Sequence, residues 1–322
     1  MVTTTVLDED RVKGSLPLGA LATSISAALI AVSDATASVP PRIAARSPEG
    51  LLAAMPGYVP GLGLAAKLVS VFAGNPTAGL PSHQALVVVF DESTGEPLAL
   101  LGATHLTAVR TAVASAVAAR ALARPDATSL AILGAGVQGR AHLEAVSSLV
   151  AVSEVRVASR DRSKAERLAG SHPGARAVGS FAEAVSGADI VCCCTDAPLP
   201  VIEDRWVGPG AHVGSVGIGA ELPAGLLGRS RVFVESTAVT AAPPAGAVEL
   251  QGRDPSTVTE IGAVLAGRSA GRTDPAEVTV WKSVGHAALD VAAAVVALRH
   301  AEDPTASAPP SRDGDEPRRV GR

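Results

Sequence analysis

The sequence predicts an α/β fold with a doubly wound parallel sheet and a second, smaller mixed α+β domain. After residue 129, short apolar runs alternate with helix-forming segments, as in parallel strands joined by crossover helices. Before residue 102, the apolar runs are separated by Pro and Gly, which is typical of an antiparallel or mixed sheet. The 322 residues are 47% hydrophobic and 18% charged, a composition that can bury the core of such a fold.

The smaller domain is expected to contain an amphipathic helix over residues 14–33, followed by strands and a hairpin turn at residues 91–95. A breaker-free, alanine-rich run over residues 106–122 then predicts a helix that bridges the two domains. The predicted strands before this helix cover residues 51–55, 64–72, 85–90 and 98–101.

The parallel sheet follows the bridging helix. Its predicted strands cover residues 130–133, 155–159, 189–194, 212–216, 231–235 and 278–281. Predicted helices cover residues 137–149, 163–170, 180–186, 260–265 and 285–298. From residue 301 onward Pro, Ser, Asp and Arg dominate without apolar periodicity, so we expect residues 301–322 to form a disordered tail.

Composition and charge exclude several classes of partner. The net charge is −4 and aromatic residues make up only 2% of the chain, which argues against nucleic acid and anionic membranes as partners. The cysteines are three adjacent residues, Cys192–Cys194, which cannot form a disulfide framework, and the histidines lack metal-ligand spacing. We therefore expect a cytoplasmic protein that binds no metal.

A glycine-rich turn lies between the first predicted parallel strand and the helix after it. Gly134, Gly136 and Gly139 give the spacing GxGxxG, with Val137 and Gln138 at the start of the helix. In this context the first glycine permits a tight turn, the second lets a phosphate approach the backbone, and the third lets helix and strand pack closely. The turn predicts a Rossmann-type dinucleotide site; a turn without a ligand is the alternative.

The end of the second parallel strand distinguishes NAD from NADP. NAD-specific sites carry an acidic residue there for the ribose 2′-hydroxyl, whereas a 2′-phosphate needs a cation. Here the strand ends in Ser159 and Arg160. The sequence therefore favours NADP(H), with NAD(H) as the alternative if Arg160 is an ordinary surface residue.

Three basic residues stand in largely apolar surroundings before the dinucleotide domain: Arg42, Lys67 and Arg110. A buried cation is costly unless it is paired, and no acidic residue lies near any of them in sequence. A substrate carboxylate would pair them, with arginine in a bidentate contact and lysine as a proton donor whose pKa can shift. The alternative is that each pairs with a distant Asp or Glu or extends to water. The chain has only four lysines, and Lys67 and Lys282 fall in segments expected to face the cleft.

Several segments resemble the ornithine cyclodeaminase and mu-crystallin family, over residues 35–300. These segments are Pro40–Arg42, Met55-Pro56, Ala66–Phe72 with Asn75, Thr107–Ala112, Gly134–Gln138, Ala188–Val191 with Thr195, Gly208–His212, and Trp281–Gly285 with Asp290. The resemblance implies a homodimer in which residues 1–118 with 281–300 form the substrate-binding and dimerisation domain and residues 119–280 form the Rossmann domain. It also implies roles for single residues: Arg42, Lys67 and Arg110 on the substrate carboxylate, Thr111 on phosphate, Thr195 on the cofactor, and Ser283 near the nicotinamide.

One departure from the family bears on the reaction. Cyclodeaminases of this family carry an acidic residue soon after the fifth parallel strand, where this chain has Gly219 or Ala220, with Glu221 displaced by a residue or two. We therefore expect an NAD(P)H-dependent reductase of small α-imino acids, either cyclic ketimines such as pyrroline-2-carboxylate or open-chain imines, reversible as an amino-acid dehydrogenase. Lys67 would donate a proton or stabilise developing charge. The alternatives are an ornithine or lysine cyclodeaminase with bound NAD+, and a non-catalytic NADPH-binding protein of the crystallin kind.

Overall fold

A computed structural model describes residues 4–302 except residues 196, 218 and 244. Within these residues the chain forms a six-stranded mixed sheet and an eight-stranded parallel sheet. The α/β class and the doubly wound parallel sheet expected from the sequence are confirmed. No helix in the described part of the chain is both long and apolar enough to cross a membrane.

The six-stranded sheet comes from the N-terminal third of the chain. Its strands are β1 (Thr5–Leu7), β2 (Ile43–Arg46), β3 (Leu51–Val59), β4 (Gly63–Val71), β5 (His83–Phe90) and β6 (Pro97–Gly102). Their spatial order is β1-β6-β5-β4-β3-β2, with β1 parallel to β6 and all other neighbours antiparallel. Along β3 and β4 the buried and less buried residues alternate, so one face of the sheet is covered and the other is not.

Helices from both ends of the chain cover the buried face. They are α1 (Glu9–Gly14), α2 (Leu18–Ser33), α3 (Thr104–Leu122) and α9 (Ala287–Glu302). The helix expected over residues 14–33 is wrong at its start. A separate helix, α1, ends at Gly14. The helix α2 begins after its N-cap residue Pro17, which has no backbone N–H to donate. The C-terminal helix α9 packs on β3 and β4 and continues to Glu302, so the first two residues assigned to the tail are helical. Residues 303–322 lie outside the described residues.

The parallel sheet follows α3. Its strands are β7 (Ser129–Leu133), β8 (Glu154–Ala158), β9 (Ala175–Ala177), β10 (Ile190–Cys193), β11 (His212–Ser215), β12 (Arg231–Val234), β13 (Val258–Glu260) and β14 (Thr279–Lys282). The remaining helices are α4 (Val137–Leu149), α5 (Arg162–Ala169), α6 (Phe181–Val185), α7 (Ala224–Arg229) and α8 (Ile261–Leu265).

The strand order of the parallel sheet locates its ligand crevice. The order is β13-β12-β14-β11-β10-β7-β8-β9, so the chain moves outward in one direction from β7 to β9 and in the other direction from β10. Ligands of such sheets bind at the carboxyl ends of the strands, at the point where the order reverses. That point lies between β7 and β10, where the glycine-rich turn follows β7.

The bridging helix α3 connects the two sheets. It packs on α4 from the parallel sheet and on α2 and α9 from the other side. Most of its residues are buried, and alanines at positions 112, 114, 116 and 118 allow the neighbouring helices to approach closely. Arg110 and Thr111 therefore lie in a buried position between the two sheets.

Candidate active site

The glycine-rich turn has the geometry that a phosphate site requires. Gly134 has φ of 104°, and a Cβ there would lie 2.6 Å from the carbonyl oxygen of Cys194. A Cβ at Gly139 would collide with the carbonyl group of Gly134, so the close packing of helix and strand depends on that glycine. Both positions therefore exclude a side chain, for the two reasons that the sequence pattern predicts.

The space above the turn is open. Gly136 precedes the first turn of α4, and a Cβ built on it meets nothing within 4 Å. No side chain among the described residues caps this helix, and Val137 in its first turn is 68% exposed. The free N–H groups and the helix dipole favour an anion at this position. The residues present therefore fit the pyrophosphate of a dinucleotide.

The loop after β8 has an exposed cation, Arg160, and an acidic residue, Asp161, that caps the next helix. Arg160 is exposed and makes no hydrogen bond or ion pair with any residue that the structure describes. The neighbouring Asp161 instead caps α5, where it accepts hydrogen bonds from the Ser163 hydroxyl (2.8 Å) and the Lys164 backbone (3.2 Å). The loop therefore has an exposed cation next to Ser159, and its acidic residue is engaged in the cap of α5.

Glu221 proves to be a structural carboxylate. It is completely buried, and one oxygen accepts hydrogen bonds from the backbone N–H (2.9 Å) and hydroxyl (2.5 Å) of Thr195. Its other oxygen accepts from the Ser215 hydroxyl and the Gly217 backbone N–H, both at 2.8 Å. Glu221 thus joins the loops that follow β10 and β11, and four donors occupy its oxygens. The Thr195 hydroxyl, predicted to contact the cofactor, donates to this carboxylate.

Lys282 lies within the large sheet and not in the cleft. Its ammonium group donates to the Gly217 carbonyl (2.6 Å) and the Ser215 hydroxyl (3.0 Å) and pairs with Glu249 at 2.8 Å. Burial raises the pKa of Glu249, although Lys282 acts in the opposite direction. The segment of Lys282 is expected to face the cleft, but β14 directs this side chain away from the cleft, into a buried cluster of acids.

Lys67 and Arg110 share one carboxylate, that of Asp290 on α9. The Lys67 ammonium lies 2.9 Å from Asp290, and the Arg110 Nε donates to Asp290 Oδ1 at 2.8 Å. All three side chains are almost completely buried. Asp290 is 223 residues from Lys67, so neighbours in sequence do not reveal the pair. These two cations therefore have the distant acidic partner that the sequence leaves open, and their contact with a substrate carboxylate stays a prediction.

The charges of this cluster shift its pKa values. Burial lowers the pKa of Lys67 to about 8, and Arg110 acts in the same direction while Asp290 opposes it. Burial raises the pKa of Asp290, but Arg110 and Lys67 outweigh this effect and hold it below its usual value. Lys67 is therefore a buried ammonium group that can release a proton close to neutral pH.

Arg42 lines a cavity of about 150 Å³ between the two sheets. Its guanidinium donates to the carbonyl oxygens of Val284 (2.7 Å) and Gly285 (2.6 Å), just after β14. Glu235 and His286 also line the cavity. The rest of the wall is mainly apolar and includes Val39, Pro40, Pro41, Met55, Val239 and Ala287. Arg42 is the member of the predicted cation trio that reaches the cavity, with Lys67 and Arg110 next to it around Asp290.

Glu235 and Ser283 follow the adjacent strands β12 and β14. The buried Ser283 hydroxyl donates to Glu235 Oε1, which also accepts from the Gly285 N–H at 3.1 Å. Sequence reasoning places Ser283 in the site but misses Glu235, which is simply the last residue of a predicted strand. A stronger signal was available, since ligands bind at the carboxyl ends of parallel strands.

The cluster as a whole carries an excess of positive charge. Burial lowers the pKa of His286, which favours a neutral ring, so the cations are Arg42, Lys67 and Arg110. The carboxylates beside them are Asp290 and Glu235. Three positive charges and two negative ones give an excess of one positive charge, which one bound anionic group would neutralise. A small carboxylate in the cavity would balance the charge of the cluster.

Comparison with known proteins agrees with this geometry. The sequence model that describes the ornithine cyclodeaminase/mu-crystallin family matches residues 2–303 of this chain. Ketimine reductase mu-crystallin of Mus musculus is 38% identical over 252 residues, which cover 76% of this chain and 79% of that protein.

Two solved structures resemble the whole described fold. Δ1-pyrroline-2-carboxylate reductase of Thermococcus litoralis, in complex with NADH and L-proline, is 30% identical with a TM-score of 0.87 and covers 92% of this chain and 97% of its own. An archaeal alanine dehydrogenase dimer with bound NAD is 27% identical with a TM-score of 0.83, covering 92% and 96%. The chain belongs to the ornithine cyclodeaminase/mu-crystallin family.

Proposed function

We propose that this protein is an NAD(P)H-dependent reductase of small α-imino acids, which acts reversibly as an amino-acid dehydrogenase. The observation that carries the proposal is the excess positive charge of Arg42, Lys67 and Arg110 around Asp290, beside the carboxyl ends of β12 and β14. Cyclic ketimines such as pyrroline-2-carboxylate and open-chain imines both present one carboxylate and one imine nitrogen.

The dinucleotide would bind along the carboxyl edge of the parallel sheet. The turn from Gly134 to Gln138 would hold its pyrophosphate, Thr111 would lie near phosphate, and Ser283 would lie near the nicotinamide. Its reduced form supplies the hydride. The exposed Arg160 beside Ser159 favours NADPH over NADH, because a guanidinium binds the 2′-phosphate in a charge-assisted contact.

The substrate carboxylate would bind Arg42 in the cavity, next to the Lys67–Asp290–Arg110 cluster. This contact orients the imine carbon toward the cofactor. The Lys67 ammonium then supplies a proton to the amine that forms, since its lowered pKa of about 8 matches neutral conditions. The apolar cavity wall accommodates a small hydrocarbon side chain or ring.

Two observations favour a reductase over a cyclodeaminase. A side chain at Gly219 would collide with the Ala197 carbonyl group, so the acidic residue of the cyclodeaminases cannot stand there on this backbone. Glu221 cannot replace it, because four hydrogen bonds from Thr195, Ser215 and Gly217 occupy its oxygens. Reduction needs a hydride, which the bound reduced cofactor would supply, and a proton donor, the role we propose for Lys67.

A second copy of the chain would cover the outer face of the six-stranded sheet. Exposed apolar side chains lie together on this face, and two of them, Leu68 and Leu86, are direct cross-strand partners. They are Val6, Ile43, Leu52, Leu68 and Leu86. An apolar patch of this kind marks a protein interface. We expect a homodimer in sedimentation analysis and a monomer for the double variant Leu68→Glu, Leu86→Glu; a monomeric wild type would contradict this assembly.

The function is tested by following cofactor absorbance with pyrroline-2-carboxylate, piperideine-2-carboxylate, and pyruvate plus an amine. We expect oxidation of NADPH with at least one of these substrates. Ammonia release from ornithine or lysine without net cofactor oxidation would show a cyclodeaminase instead. Tight NADPH binding with no turnover of any substrate would show a non-catalytic binding protein.

A further inference from the structure

Resting on the proposed reductase function, we propose that Glu235 is the residue that contacts the substrate nitrogen. Glu235 lines the cavity between the two sheets, at the carboxyl end of β12. Its role would be to bind the positively charged iminium or ammonium group while the cations bind the carboxylate.

The local geometry leaves one oxygen of Glu235 available. Oε1 accepts hydrogen bonds from the Ser283 hydroxyl and the Gly285 N–H, which fix the orientation of the carboxylate. Oε2 accepts no hydrogen bond from any residue in the described ranges. The side chain is 2% exposed, so a ligand in the cavity is what this oxygen can meet.

Other carboxylates near the site are already engaged. Asp290 is paired with Lys67 and Arg110, and Glu221 is saturated by four donors. Glu249 pairs with Lys282 inside the large sheet. Of the acidic residues described here, Glu235 is the one that lines the cavity and retains a free oxygen.

The placement of Glu235 relative to Arg42 matches an α-imino acid. The Gly285 N–H donates to Glu235, and the carbonyl oxygen of the same residue accepts from Arg42. The acidic and basic groups are therefore anchored to opposite ends of one residue. In an α-imino acid the carboxylate and the nitrogen are attached to the same carbon, so one small molecule can reach both groups.

A carboxylate in this position assists the reaction electrostatically. A protonated imine carries a positive charge that Glu235 stabilises, and its carbon accepts hydride more readily than that of a neutral imine. A new C–H bond forms with the hydride from the nicotinamide cofactor, which is oxidised. The π electrons of the C=N bond become the nitrogen lone pair, and the neutral amine then takes a proton from Lys67.

The test uses two ligands that share a carboxylate and a five-membered ring. L-proline carries an ammonium nitrogen, whereas the nitrogen of pyrrole-2-carboxylate is neutral. We expect Glu235→Gln to weaken L-proline binding to the complex with oxidised cofactor about tenfold, because it removes a charge-assisted contact. Binding of pyrrole-2-carboxylate should change less than about twofold, and kcat for pyrroline-2-carboxylate should fall about 100-fold.

A matched control separates this role from a structural one. Glu260→Gln changes an acid at the end of the neighbouring strand β13, which accepts from the Thr237 backbone and does not line the cavity. It should leave both ligands and kcat unchanged. Thermal unfolding and NADPH fluorescence show whether Glu235→Gln is folded, and Glu235→Asp, which retains the charge, should recover part of kcat.

Equal weakening of both ligands by Glu235→Gln, or no weakening of either, would overturn the inference. If the wild type reduces imino acids and Glu235→Gln has the same kcat, the role of Glu235 is contradicted. The proposed function is not affected by that result. A wild type that reduces none of the substrates and binds neither ligand would overturn the proposed function and this inference with it.

Discussion

Two buried lysines of this protein differ in what surrounds them. Lys67 on the six-stranded sheet shares Asp290 with Arg110, and Arg42 lies close by, so positive charge is in excess. Lys282 on the parallel sheet is completely buried as well, but it contacts Glu249 and lies beside Glu221 in a cluster where acids are in excess. Both residues are buried lysines, but positive charge is in excess around Lys67 and negative charge around Lys282.

The two surroundings compensate the two buried charges differently. Removing a charge from water costs several kcal/mol unless partners compensate it. Lys282 is compensated by an ion pair with Glu249 and by two further oxygen atoms that accept from its ammonium group. Burial lowers the pKa of Lys67 to about 8; Arg110 acts in the same direction, and Asp290 opposes both. Both lysines are buried, so what distinguishes them is the sign of the charge in their surroundings.

The largest expected effect is on stability, from Lys282→Met. The substitution leaves buried Glu249 without its cation, and breaking a buried pair in this way costs about 3–5 kcal/mol. Urea unfolding of the full chain would measure the loss. Lys164→Met, on an exposed lysine, is the control and should change the free energy of unfolding by less than about 0.5 kcal/mol. A loss below about 1 kcal/mol for Lys282→Met would show that this ion pair is not a structural requirement.

The next effect is on catalysis, from Lys67→Arg. Arginine retains the positive charge beside Asp290 but cannot release a proton near neutral pH. We expect kcat/KM for the imino acid to fall about 100-fold, the usual contribution of a positioned proton donor, while the protein stays folded. Lys13→Arg, on an exposed residue, should behave like wild type. Full activity of Lys67→Arg would show that the lysine is incidental.

A smaller effect is expected at the other end of the cofactor, where charge is exposed. Arg160→Ala should raise KM for NADPH about tenfold, because one charge-assisted contact to the 2′-phosphate is lost. KM for NADH should hardly change. Arg162→Ala is the matched control, since that arginine is exposed and paired with Glu166. Equal changes for both cofactors would remove the NADP assignment.

Local pattern was sufficient to predict much of the fold. The helix expected over residues 137–149 is α4 with the same bounds, because its periodic apolar face and its flanking turn are encoded in adjacent residues. Three-residue strands such as Ala175–Ala177 and Val258–Glu260 were missed, since so few residues cannot establish an alternation. The helix boundary at Pro17 shows the same limit, because the apolar run continues across it.

The site was only half predictable. Arg42, Lys67 and Arg110 stand out in sequence because they interrupt apolar segments. In the structure Arg42 lines the cavity, and Lys67 and Arg110 share the Asp290 carboxylate next to it. Their acidic counterparts do not stand out, because Asp290 lies in a distant helix and Glu235 ends an ordinary strand. Charge balance in a buried cluster depends on tertiary contacts, and the spacing of residues along the sequence does not predict these contacts.

The most direct test of the difference between the two lysines is the pH dependence of kcat/KM for imino-acid reduction. Below about pH 8 Lys67 is charged and can donate its proton; above that pH the amine is neutral and the rate should fall about tenfold per pH unit. The pKa of its partner Asp290 is held below its usual value, so that carboxylate stays charged across this range. The account predicts a bend near pH 8 in the wild type and in Lys13→Arg that is absent in Lys67→Arg. The same bend in Lys67→Arg would contradict the assignment of Lys67 as the proton donor.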